Sequence, residues 1–344
     1  MREPDHYALK AVPGYHSNRP GIQVGTQLPP DASAEDMRFA RQLGVQWVMT
    51  NLPRGVEATQ GAYKAVSDRF TAEGLKVYCL ANYSCHNMEA VTLGLADRDA
   101  KIQEYLTHLR NLSRVGVRYS TYAHMANGIW STKPESIRGE ATGRALRLQD
   151  TPTGDWVGKA YAGPLTHGRR YPEEELWDNY EYFIRKVVPV AEGEGIRIGI
   201  HPDDPPVYEL GGIPRCIFGT FKGYRKALEI ADSPNIGVCL CCGCWLEGGE
   251  AMGADLLTAI REFGTKGKLF KVHFRNVTAP LPGGFVETYL DDGYMDMGRV
   301  TQALRDVGFD GAVISDHGQA MVGGRYASEA FAVGYMKGLV GRGG

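Results

Sequence analysis

The chain has 344 residues, a formal net charge of −2 and an apolar share of 43%, enough to bury a large core, with no electrostatic ground for a nucleic-acid or anionic-membrane partner. No apolar run nears the roughly 20 residues that span a bilayer, and the opening MREPDHYALKAVPGYHSNRP lacks the apolar stretch of a secretory signal. Seven cysteines, four of them crowded into residues 239–244, do not read as a disulfide framework. Their usage points to a reducing, cytoplasmic setting in which cysteine fills core or binds metal.

Residues 1–20 read as an N-terminal extension. Short β-branched or apolar runs then alternate with longer amphipathic stretches, the pattern of repeated βα units. A strand over 21–27 leads to a helix from Ala34 to Leu43, with Ser33 as its cap and Asp36 completing a capping box. A strand over 46–51, a helix near 63–73 and a strand over 76–83 follow. Across 97–116, Ile102, Tyr105, Leu106, Leu109 and Leu112 recur at steps of three and four, one helix face that Gly116 ends. Residues 117–124 form a fourth strand.

Residues 125–172 are rich in Gly, Pro, Thr and Arg and show little periodicity. So long a connection is uncommon unless functional, and a lid or substrate loop is expected. Beyond it come helix 173–193, strand 197–201, helix 221–232, strand 236–241, helix 254–263, strand 268–274, helix 297–307, strand 311–316 and helix 327–340. Eight strand–helix pairs without an internal linker predict one α/β domain over 1–344, a (β/α)8 TIM barrel with a long insertion after strand 4. A doubly wound open sheet would want a Gly-rich phosphate turn after the first strand, and none is present.

In such a barrel the chemistry sits at the C-terminal ends of the strands. The last four predicted strands end at His201, Cys241, His273 and Asp316. A histidine or aspartate at a strand end is more often structural, and a strand cysteine is usually a small core hydrophobe. Four consecutive strands all ending in metal-ligand types point instead to one divalent cation. The thiolate favours Zn2+ or Fe2+, the carboxylate suits Mn2+, and the set leaves room for substrate oxygens. The run CLCCGC (239–244) also holds two overlapping C-x-x-C spacings, but no second pair sits at a spacing that would build a zinc knuckle or iron–sulfur site.

From HPDDPP (201–206) onward the chain resembles the mannonate dehydratase family. GIPR (212–215), VCLCCGC (238–244), HFRNV (273–277), FVETYLDDGYMDM (285–297) and SDHG (315–318) follow in the family's order. The resemblance implies a metal-dependent barrel lyase, usually with Mn2+, that converts D-mannonate to 2-keto-3-deoxygluconate by loss of water, and a homo-oligomer. It places the metal ligands on the same four residues. It also implies His317 as a catalytic residue and Tyr326, rather than Tyr335, as the catalytic tyrosine. The pattern departs at Thr132, where the family has arginine, at Leu290, where it has histidine, and at Cys242 and Cys244.

Arg275, beside His273, is the expected clamp for a substrate carboxylate, because its fork matches one bidentately. Asn276, Trp130, Glu287 and Asp292 are further expected substrate contacts. Asp203 and Asp204 are expected to orient ligand imidazoles from behind or to open a Pro-rich turn. A metal-dependent sugar isomerase or epimerase on a similar barrel is the alternative activity, and a non-catalytic sugar-acid binding protein the second alternative.

Overall fold

The computed structural model describes residues 21–341; the expected extension over 1–20 lies outside them. Eight parallel strands close into a barrel: β1 (Ile22–Gln27), β2 (Trp47–Asn51), β3 (Lys76–Ala81), β4 (Tyr119–Ala123), β5 (Arg197–His201), β6 (Ile236–Cys241), β7 (Leu269–His273) and β8 (Gly311–Ile314). Each pairs with its chain neighbours, and Ile22 opposite Gly311 closes the ring. Every residue of β6 is buried, as expected of a parallel strand covered on both faces.

Eight helices form the outer ring: α1 (Ala34–Gln42), α2 (Gln60–Ala72), α3 (Arg98–Arg114), α4 (Glu173–Gly193), α5 (Phe221–Ala231), α6 (Leu256–Thr265), α7 (Met297–Asp306) and α8 (Gly324–Gly341). Side chains of Ser33, Thr59, Thr220, Asp255 and Asp296 cap five of them by accepting backbone N–H groups left over at the first turn. Ser33 and Asp36 complete the expected capping box. On α3 the five expected apolar residues are all buried, and Gly116 ends the turn at φ +78°, open to glycine without steric cost.

The connection 125–172 is not plain loop. Ile129–Ser131, Thr153–Trp156 and Lys159–Tyr161 form an antiparallel sheet, and Ala145–Leu146 pairs with Phe285–Thr288. Strands of two to four residues are too short to leave a period-two signal in the sequence. A short helix, Cys242–Gly248, starts directly at the end of β6 and was hidden for the same reason.

Candidate metal centre

His201, Cys241, His273 and Asp316 meet at the C-terminal mouth of the barrel. β6 and β7 pair with Cys241 opposite His273. His201 Nε2 lies 3.1 Å from His273 Nδ1, His273 Nδ1 lies 3.1 Å from Asp316 Oδ1, and Cys241 Sγ lies 3.9 Å from Asp316 Oδ2. Ligand atoms of Cys241, His273 and Asp316 fall within 4.8 Å of one another, as do those of His201, Cys241 and Cys244. Ligands about 2.0–2.3 Å from a common ion stand roughly 3–4 Å apart, so the spacing fits a cation held by the four.

The hydrogen bonds choose which nitrogens face that point. His201 Nδ1–H donates to the Pro202 carbonyl at 2.7 Å, leaving Nε2 with its lone pair. His273 Nε2 is 3.5 Å from Cys239 Sγ, leaving Nδ1 inward. Cys241 caps the helix Cys242–Gly248, its sulfur accepting from Cys244 N–H at 3.4 Å. Burial opposes a charged sulfur here, yet the Cys244 thiol, Arg275 and the two histidines prevail and hold the Cys241 thiol well below its usual range, which favours the ligating thiolate. Asp316 lies two residues past β8, with φ +66°, a backbone region that Asp and Asn tolerate better than other side chains. That turn lets two consecutive residues, Asp316 and His317, both line the cavity at the mouth.

His317 is gripped from behind. Its Nδ1 is 2.9 Å from both carboxylate oxygens of Glu287 and 2.9 Å from Arg275 Nη1. Burial disfavours charging this imidazole, but Glu287 and Asp316 outweigh it and raise its pKa. With Nδ1–H given to Glu287, Nε2 is the nitrogen left for chemistry.

Several expected contacts do other work. Arg275 is 1% exposed and its guanidinium is already engaged by Asp204 at 3.1 Å, Glu247 at 2.9 Å, Glu287 at 2.9 Å and Asp316 at 3.2 Å. Both terminal nitrogens of the fork are taken by protein groups, and the unpartnered Nε is buried against Gly243, so Arg275 is the hub of a buried ion network rather than an open fork. β7 stops at His273, so strand alternation no longer governs where Arg275 points. Asn276 ties down the following loop by donating to the carbonyls of Leu290 and Met295. Trp130 is buried, with its indole N–H on Asn127, while its neighbour Ile129 and Trp156 of the insertion line the cavity. Glu287 lies on the short strand Phe285–Thr288 rather than a loop and serves His317. Asp292 accepts from Thr288 at the surface. Thr132 donates to the Ala145 carbonyl, and Leu290 is buried.

The two acids expected behind the imidazoles also differ. The Pro202 carbonyl, not a carboxylate, orients His201. Asp204 binds Arg144 at 2.5 Å and Arg275, and those two arginines hold its carboxyl far below the usual range despite burial. Asp203 faces Arg215 at 3.8 Å, and burial pushes it up to about 6. Tyr326 stands on the first turn of α8, its hydroxyl donating to Asp36 at 2.6 Å and its ring 4.6 Å from that of Phe39. α8 begins two residues before it, at Gly324, and Tyr326 lines a second cavity, of about 1030 Å³, that Asp316 also lines.

Sequence reasoning missed Arg144, which bridges Asp204, Glu247 and Glu287 from the insertion, and Glu247 itself, fully buried against both arginines. It also missed the cavity lining contributed by Gln27, Thr50, Asn51, His86, Thr121 and Lys271. The cavity measures about 440 Å³.

A closed parallel barrel that gathers His201, Cys241, His273 and Asp316 at its C-terminal mouth is a (β/α)8 TIM barrel with a candidate metal centre, and the comparisons narrow its family. The family model described as D-mannonate dehydratase matches residues 164–342. Mannonate dehydratase of Oceanobacillus iheyensis is 31% identical over 79% of this chain and 81% of that protein; the Enterococcus faecalis mannonate dehydratase is 31% identical over 86% and 89%. The crystal structure of mannonate dehydratase from Streptococcus suis serotype 2 superposes with TM-score 0.80 at 24% identity, covering 94% of this chain and 93% of that one, which reflects a shared fold. The chain belongs to the mannonate dehydratase family.

Proposed function

We propose that the protein is a hydro-lyase that removes water from a hexonate, D-mannonate or a close relative, to give the 2-keto-3-deoxy acid. The observation that carries this reading is the pair Asp316–His317: a metal-ligand type and a base raised in pKa, adjacent in sequence and facing one cavity. The family supplies the reaction class.

His201, Cys241, His273 and Asp316 would hold a divalent cation, with Mn2+ the ion favoured by the family resemblance and Fe2+ or Zn2+ the alternatives that a thiolate admits. When bound, it supplies Lewis-acid stabilisation of charge developing on substrate oxygens and fixes their orientation. His317 takes the C2 proton on Nε2 while Glu287 holds Nδ1–H and balances the charge. The same proton then suits the C3 hydroxyl as it leaves as water, and the resulting enol tautomerises to the keto acid. Residues 125–172 act as a cover, with Ile129 and Trp156 forming part of the cavity wall.

Seven free cysteines among the described residues suit a cytoplasmic setting, and the family resemblance supports a homo-oligomer. Among the described residues no helix is long and apolar enough to cross a membrane. The test is incubation of Mn2+-loaded protein with a panel of hexonates and detection of the 2-keto acid by semicarbazide absorbance. Product from D-mannonate or a stereoisomer supports the reading; a metal-replete protein that makes none from any of them refutes it.

A further inference from the structure

The barrel wall carries one cation that the proton-transfer machinery does not use. Lys271 sits on β7, is 4% exposed, and lines the same cavity as His201, His273, Asp316 and His317. It is the one lysine or arginine in that lining. A bulge delivers it there: Val238 pairs with Leu269, but the next pair is Cys239 with Lys271, so Phe270 is the extra residue. Phe270 joins the floor cluster of Met49, Cys79, Tyr119, Ala312 and Ile314, and Lys271 is left facing the mouth. Bulges beside active sites re-aim side chains in this way.

No carboxylate among the described residues pairs with it; its charge acts on the neighbouring Cys239 thiol, which desolvation pushes up but His273, Lys271 and His201 together hold down. The acids at the mouth are committed elsewhere: Asp204, Glu247 and Glu287 to Arg144 and Arg275, and Asp316 to His273 and Arg275. Among the described residues Lys271 forms no side-chain ion pair or hydrogen bond. A lysine on the cavity wall with no carboxylate partner is placed to receive one from a ligand. Two more polar groups on cavity-lining residues are buried without partners, Thr50 Oγ1 and His86 Nδ1. Burial first, and then positive neighbours that include His201 and Lys271, pushes the His86 imidazole down to about 3, so it is neutral and adds no second charge. Trp156 stacks on it at 5.4 Å and 15°.

We propose that Lys271 receives the carboxylate of the substrate, with Thr50 and His86 offering hydrogen bonds to the neighbouring hydroxyls. This rests on the hexonate reading above and adds the means of telling an acid from a neutral sugar. It also takes the role expected of Arg275, whose terminal nitrogens are held by protein groups and which does not line the cavity.

The test compares metal-loaded wild type with Lys271→Met, measuring kinetics on D-mannonate and calorimetric binding of D-mannonate against the neutral polyol D-mannitol. Loss of one charge-assisted contact should raise KM about tenfold to a hundredfold with a much smaller change in kcat. The preference for mannonate over mannitol should vanish, and Lys271→Arg should restore part of it. The thermal midpoint of Lys271→Met should hold or rise, since an unpaired buried charge is gone; if that variant fails to fold, Lys271→Gln against Lys271→Arg makes the same comparison. An unchanged KM and selectivity overturns the proposal. So does a collapse of kcat at constant KM, which would make the lysine a proton-transfer group. Wild type that neither binds nor converts any hexonate sinks the hexonate reading and this one together, a result distinct from active wild type matched by its variant.

Discussion

Glu287 offers both carboxylate oxygens to Nδ1 of His317 at 2.9 Å, and that contact decides which nitrogen of the imidazole looks into the cavity. Glu287→Gln keeps the shape and removes the charge. It should lower kcat about 10- to 100-fold, the usual cost of losing a partner that orients and charges a catalytic imidazole, while metal content by elemental analysis stays at wild-type level. His317→Asn should cost more, about 10²–10⁴-fold. Equal turnover of Glu287→Gln and wild type would show that the carboxylate is a packing element only.

Tyr326→Phe should leave turnover within about threefold of wild type, because its hydroxyl serves Asp36 on α1 and no cavity-lining ligand; the threefold margin corresponds to well under 1 kcal/mol of barrier. A loss comparable to that of His317→Asn would mean that α8 shifts in the working enzyme and delivers the phenol to the mouth.

Gly243 has no room for a side chain. A Cβ there would stand 1.9 Å from Arg275 Nε, against a guanidinium pinned by four carboxylates. Gly243→Ala should therefore destabilise the fold by about 1–3 kcal/mol, read as a lower urea midpoint, and should weaken metal retention because Cys241 caps the same helix.

What the sequence made legible follows from period and position. The eight strands and the four candidate ligands were readable because His201, Cys241 and His273 end strands, Asp316 follows one within two residues, and every strand repeats one pattern. Arg275 was misread because the shape of a guanidinium fork says what it can bind, not which protein carboxylates already hold it. Glu247 lies on a seven-residue helix and Arg144 between two two-residue strands of the insertion, too short for any periodic signal, and their meeting is set by tertiary packing. Lys271 shares the face of His273 two residues on, and it went unremarked because a lone lysine inside a strand belongs to no ligand or motif pattern.

Histidines away from the mouth set an acid limit on stability. Burial pushes His108 and His124 down to about 3, against about 6.5 for the unfolded chain. His108 is held between Tyr63 at 2.5 Å and Ser120 at 3.3 Å. The unfolded state then binds more protons between those limits, so stability rises with pH there: it is fully present above about 6.5 and is lost as pH falls toward 3. Each group contributes at most about 1.4 kcal/mol per pH unit. Urea midpoints from pH 7.5 to 5 should fall for wild type and fall less for His108→Gln; parallel curves would rule out this histidine as a source.

The left-handed turn at Asp316 restricts how this centre could be retuned. Sites 201, 241 and 273 end ordinary strands and could trade imidazole for sulfur or oxygen with no objection from the main chain. At 316 a bulkier donor would pay in torsional strain, so exchange there is confined to the short side chains of Asn and Asp. Attempts to change the preferred ion have three adjustable corners and one that is locked by the path of the polypeptide.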